Sequence, residues 1–242
     1  MTQNRASEVL FLVVICASSL FPQNPVSLSA DTNHSLLLEN DYARVFSLVI
    51  PPRSHTQFHL HSSDYVRITI TDGNLRFTMP GTADVLQGFE KGFTQFISAG
   101  VRHVVSNEDA FATYCAVVVE VKKHGIRPGY AYDYATARAM IYDSIPPPVD
   151  PHANFTTSHL TPTVDGFDMQ IVARNSMRVP ECPQGCLLVA VSNLTLESQE
   201  TSRNSVIGLE AGDAVWLAPS DETRLLKNST FDSARFVLLR FK

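Results

Sequence analysis

The sequence predicts an all-β protein built as two barrels, and three observations predict it. Helical periodicity is scarce beyond residue 30. Short runs that alternate apolar and polar residues recur at regular spacing, bounded by Gly, Pro, Asn and Asp. The chain also rhymes with itself: Gly92 to Asn107 and a strand ending VVVEVKK answer Gly212 to Asn228 and a strand ending FVLLRFK. The 242 residues suffice for two modest domains, and 44% hydrophobic with 18% charged residues is ordinary for a globular chain. A net charge of -5 without a basic patch excludes a nucleic-acid surface.

The elements follow in order. Arg5, the apolar run Val9 to Phe21, the break at Pro22 and the small residues from Ser27 to Ala30 resemble a secretory signal peptide over residues 1–30. The run is short for a bilayer span. The expected location is therefore periplasmic or extracellular, with an uncleaved membrane anchor as the alternative. Residues 31–124 make the first barrel, with strands predicted over Ala43–Ile50, Tyr65–Ile70, Leu75–Met79, Phe93–Ile97 and Tyr114–Val121. Turn signals separate them at Pro51-Pro52, Asp72-Gly73-Asn74, Pro80-Gly81 and Asn107-Glu108-Asp109. Residues 125–156 are a Pro- and Tyr-rich connector, with a short helix predicted over Ala135–Tyr142. Pro146 to Pro148 bar an interior strand there. Residues 157–242 are the second barrel. Cys115 lies in an apolar alternating run and reads as a core thiol. Cys182 and Cys186 are close enough to pair in an oxidising compartment or to stand as two free thiols; no His or Cys nearby completes a metal clip.

Chemistry concentrates in residues 51–73 and 92–107. His59 and His61 are two apart, and strand period puts both imidazoles on one face. His103 follows a turn at Gly100 and supplies a third imidazole from a neighbouring strand. Three His ligands around one ion leave positions open for water or substrate. Imidazole suits Fe, Mn, Ni and Zn without choosing among them, so the cofactor is read as a divalent ion of undetermined identity. Tyr65 and Gln57 share the parity of the His pair and are pocket candidates, Tyr65 through its phenol and Gln57 through its amide; the alternative for each is a surface place on the strand. Asp64 is a substitute carboxylate if a bulge turns it inward. His55 falls among turn residues, and Arg102 alternates to the outer face.

These segments resemble the cupin family. Its first motif reads Gly, five residues, His-x-His, three or four residues, Glu, six residues, Gly. Here His59 and His61 match, Arg53 replaces the first Gly, Tyr65 stands in the place of Glu, and Gly73 closes the motif slightly late. Its second motif reads Gly, five residues, Pro, one residue, Gly, two residues, His, three residues, Asn. Gly92, Gly100, His103 and Asn107 match at that spacing, and Ser98 replaces Pro. The resemblance covers roughly residues 36–123. It implies a small antiparallel barrel with His59, His61 and His103 as metal ligands at its mouth, and without the Glu a more open, more positive centre. Some cupins that oxidise thiols with iron and oxygen are also three-His sites. The stretch 208–228 is similar to the second motif, with Gly212 and Asn228 kept and Arg224 in the place of His; Arg cannot ligate a cation, so the second barrel is read as degenerate. Trp216, the single Trp, is expected in the core.

Three functions are compatible with this reading. The first is a metal-dependent enzyme of dioxygenase type on a small organic substrate. The second is a module that binds a small molecule or metal without turnover. The third is a metal-free structural protein. The resemblance also implies a homodimer paired through sheet edges.

Overall fold

The structure, a computed structural model, describes residues 24–122, 155–159, 164–199, 204–221 and 223–241. The apolar run Val9 to Phe21 with Cys16, and the connector through residue 154 with its predicted helix, lie outside the described residues.

The first barrel holds β1 (Val26–Ser27), β2 (His34–Glu39), β3 (Ala43–Ile50), β4 (His59–Leu60), β5 (Tyr65–Thr69), β6 (Gly73–Thr78), β7 (Val85–Phe89), β8 (Thr94–Ile97), β9 (Arg102–Asn107) and β10 (Tyr114–Val121). The second holds β11 (Phe155–His159), β12 (Val164–Ile171), β13 (Ser176–Val179), β14 (Cys186–Ala190), β15 (Leu194–Gln199), β16 (Asn204–Leu209), β17 (Ala214–Leu217), β18 (Arg224–Asn228) and β19 (Ala234–Phe241). Each barrel is two facing sheets. In the first these run β1-β4-β9-β6-β7 and β2-β3-β10-β5-β8; in the second, β11-β12-β19-β14-β17 and β13-β18-β15-β16. The all-β two-barrel architecture is as the sequence predicts.

Residues 24–30 are part of the first barrel. Val26 pairs with His59 in a parallel ladder, and Leu28 is buried in the barrel core. The boundary drawn after Ala30 therefore falls inside the folded unit. Apolar and small residues at the end of a leader and at the start of a barrel look alike.

Alternation assigns the two faces of each large sheet. On β10, Tyr114, Ala116 and Val118 fill the first barrel, while Val117, Val119 and Val121 face outward. On β19, Ala234, Phe236 and Leu238 fill the second barrel, while Val237, Leu239 and Phe241 face outward. The two outward faces meet in one apolar layer with Val45, Val66, Ile68, Leu187 and Val189. Cys115, a half-buried free thiol, and Trp216 pack against this layer, and Trp216 stacks on Tyr42 at 5.6 Å. Arg235 adds a polar tie: its guanidinium pairs with Asp168 and donates to the Lys91 carbonyl at 3.1 Å. Gly92, at φ 88°, admits that guanidinium where a Cβ would collide with it.

The internal repeat is visible in detail. Asn107 is buried at the end of β9, and its Nδ2 donates to the carbonyls of Ile50, Pro51 and Ala112. Asn228 at the end of β18 donates to Ile171, Val172 and Asp232. Arg53 and Arg174 occupy matching turns with φ of 53° and 62°. On the ladders, Arg44 pairs with Glu120 in the first barrel, and Asp165 pairs with Arg240 in the second, the same tie with its charges exchanged.

Candidate metal centre

His59 stands on β4 directly opposite His103 on β9. His61 follows two residues later, tied to the turn before β9: its N–H donates to the Val101 carbonyl, and its carbonyl accepts from Gly100 N–H at 2.7 Å. Gly100 takes φ 94°, which lets the chain turn tightly into β9. The three rings are 1%, 2% and 5% exposed. Their Nε2 atoms converge in a triangle: 3.2 Å from His59 to His61, 3.3 Å from His61 to His103 and 3.1 Å from His103 to His59.

This arrangement fits a metal ion. Metal–nitrogen bonds of about 2.0–2.1 Å put the edges of a three-imidazole face at roughly 2.9–3.4 Å between octahedral and tetrahedral angles. Burial, with the neighbouring imidazoles and Arg67 adding to it, holds His61 and His103 well below the usual histidine range. Both are therefore neutral donors. His59 Nδ1 faces only acceptors, the Gln57 carbonyl at 2.8 Å and Asp31 Oδ2 at 3.1 Å. Its proton sits on Nδ1, and Nε2 presents a lone pair to the centre. His61 Nδ1 is buried without a partner, so stacking orients its ring instead: the Tyr65 ring lies 3.8 Å away at 12°.

Asp31 and His34 extend the cluster behind His59. Asp31 Oδ2 meets Nδ1 of both His34 and His59 at 3.1 Å, and Oδ1 accepts from Asn33 N–H at 3.1 Å. Burial alone would raise the Asp31 carboxyl, but hydrogen bonds from His34, His59 and the Asn33 backbone outweigh it and hold the group well below the usual carboxylate range. Burial lowers His34, with Asp31 opposing. The carboxylate thus lies one imidazole away from the triad. No motif spacing marks it: Asp31 is the first residue after the segment that reads as a leader.

Of the pocket candidates, Tyr65 is brought to the site, through its ring face against His61. Gln57 is exposed and contributes its backbone carbonyl, not its amide. The strand begins only at His59, so alternation does not run back to residue 57, and Thr56, Phe58 and His59 are all buried. Asp64 accepts from Ala99 N–H at 2.8 Å and fastens the loop after β8. His55 and Arg102 are exposed. Sequence reasoning missed Asp31, His34 and Arg67, the last a charged residue inside a strand whose five residues are all buried.

The second barrel shows what replaces the site. Val179 faces Arg224 where His59 faces His103. Cys182 exchanges backbone hydrogen bonds with Ser220, as His61 does with Gly100 and Val101. Cys186 opens β14 opposite Leu217, as Tyr65 opens β5 opposite Ile97. Cys182 and Cys186 form a disulfide. The places of the stacked His61–Tyr65 pair are covalently joined in the second barrel.

The sequence matches no protein-family model and no characterised relative. The structure is similar to the cupin 2 conserved barrel domain protein from Leptotrichia buccalis, with 9% identity over 92% of this chain and 93% of that one at a TM-score of 0.52. It is similar to oxalate decarboxylase from Lactobacillus farciminis in a formate complex, with 12% identity over 85% and 79% at 0.57. It is also similar to vicilin from hazelnut, Corylus avellana, with 11% identity over 86% and 83% at 0.56. The chain has the bicupin fold, two cupin barrels in series. The first carries the buried three-histidine cluster, and the second holds Val179, Cys182 and Arg224 in its place.

Proposed function

We propose that the first barrel is a metal centre acting on a small organic substrate, with His59, His61 and His103 as ligands. The convergence of three Nε2 atoms within 3.3 Å carries this reading. A divalent ion held there supplies Lewis acidity or, for a redox-active metal, electron transfer. The chain's own residues do the rest. Asp31 fixes the tautomer of His59, Tyr65 fixes the ring of His61, and Phe77, 5.8 Å from the His103 ring, gives an apolar wall. Three protein ligands leave room for a substrate oxygen or water.

A non-catalytic binding module is the second reading. One observation favours it: the buried carboxylates of the first barrel are committed, Asp31 to two imidazoles and Glu120 to Arg44 at 3.2 Å, which leaves neither as a free general base. Metal analysis of wild type beside His59→Ala/His61→Ala tests the shared premise. Near-stoichiometric metal is expected in the first and little in the second; equal content removes the ligand assignment. Oxygen uptake by the iron-loaded chain with a thiol, a diketone or a phenol then separates a dioxygenase-type enzyme from a binder. Export to an oxidising compartment belongs to the same proposal, supported by the Cys182–Cys186 disulfide.

A further inference from the structure

We propose that Arg67 is an anion-binding group inside the first barrel, and that the molecule held beside the three histidines is a small carboxylate. This rests on the metal-centre reading above. Arg67 stands on β5 two residues beyond Tyr65, so alternation sends its side chain to the same interior face, while Val66 and Ile68 face the other barrel. It is 6% exposed. Its Nη2 donates to Gln95 Oε1 at 2.7 Å. Its guanidinium carbon lies 4.0 Å from the centre of the Phe89 ring and 5.5 Å from that of Phe77. Nε is buried without a partner. Phe77 links the two places, since the same ring is 5.8 Å from that of His103.

Charge balance makes this arrangement informative. A buried guanidinium ordinarily meets a carboxylate, because a charge left alone in the interior is strongly destabilising. The buried acids of this barrel are engaged elsewhere: Asp31 with His34 and His59, Glu120 with Arg44. Among the described residues no carboxylate is within ion-pair distance of Arg67. Arg67 is therefore left without a direct ion pair; its charge and that of the Asp31 carboxylate balance only over the barrel as a whole, and an ion bound by three neutral imidazoles would make the interior net positive. A ligand with a carboxylate at one end and an oxygen donor at the other balances both. The planar guanidinium edge suits a carboxylate better than a point anion. The rings of Phe77 and Phe89 favour a short hydrocarbon body between its two ends.

The test is calorimetry on the full chain, zinc-loaded and metal-free, with malonate, inorganic phosphate and uncharged malonamide as probes. Malonate is expected to bind the zinc-loaded wild type, and Arg67→Gln to weaken it at least about tenfold, the loss of hydrogen bonds to a charged group. Arg67→Lys is expected to fall between them; it carries the comparison if Arg67→Gln does not fold. Metal-free wild type should keep weak malonate binding that Arg67→Gln abolishes. The proposal is overturned if malonate does not bind wild type, if a folded Arg67 variant binds it as wild type does, or if malonamide or phosphate binds equally well. A chain that takes up zinc yet binds malonate independently of Arg67 overturns this proposal and leaves the metal reading standing. A chain that takes up no zinc but binds malonate through Arg67 does the reverse.

Discussion

At Asp31 one carboxylate oxygen meets two imidazole Nδ1 atoms, and the effect reaches the far side of His59. A hydrogen-bonded anion behind a ligating imidazole fixes its tautomer and makes its other nitrogen a better donor. Asp31→Asn should therefore weaken metal binding about 10–100-fold. Competition with a chelator measures this, and an unchanged circular dichroism spectrum shows that the fold survives. Wild-type affinity in that variant would reduce Asp31 to a packing residue. At this scale the sequence was readable in part. His59, His61 and His103 were legible together because strand period pairs the first two and the resemblance to the second cupin motif, Gly92, Gly100, His103 and Asn107, brings in the third. Asp31 and His34 obey no spacing, since β1 and the turn after it bring them in from a distant stretch of chain. Nothing in the pattern around Arg67 marks it; only the burial of both faces of β5 reveals it as interior.

Strands β10 and β19 carry apolar residues in both parities, VVV in one and FVLL in the other. That pattern belongs to strands covered on both faces. Each large sheet is covered by its own barrel on one side and by the other barrel on the second. Leu238 points into the second barrel, and Leu239 into the layer between the two. Leu238→Ala and Leu239→Ala should each cost about 2–5 kcal/mol, the range for a fully buried leucine. Chemical denaturation measures both. If the barrels packed loosely, Leu239→Ala would behave as a surface change, within about 0.5 kcal/mol. The strands over Ala43–Ile50 and Tyr114–Val121 were readable to the residue because their runs are long and strongly patterned. β7 was not: Val85 and Leu86 are exposed on a sheet edge, and Gly88 interrupts the run, so no burial pattern was imprinted there.

The whole molecule joins one barrel with a buried three-histidine cluster to one that holds Val179, Cys182 and Arg224 in the matching places. The Cys182–Cys186 link closes a loop of sequence separation 4, so its loss should cost the second barrel about 2 kcal/mol by the chain-entropy argument for so short a loop. Cys182→Ser should lower the denaturation midpoint and leave the metal content unchanged. A drop in bound metal would mean that the shared layer transmits changes from one barrel to the ligands of the other.

That pairing of a histidine–tyrosine stack with a disulfide in matching places gives the protein its own internal reference. Zinc added to the full chain should slow amide hydrogen exchange along β4 and β9, where His59 and His103 lie opposite each other. β13 and β18, which occupy the same positions around Val179 and Arg224, should exchange at the same rate with or without the ion.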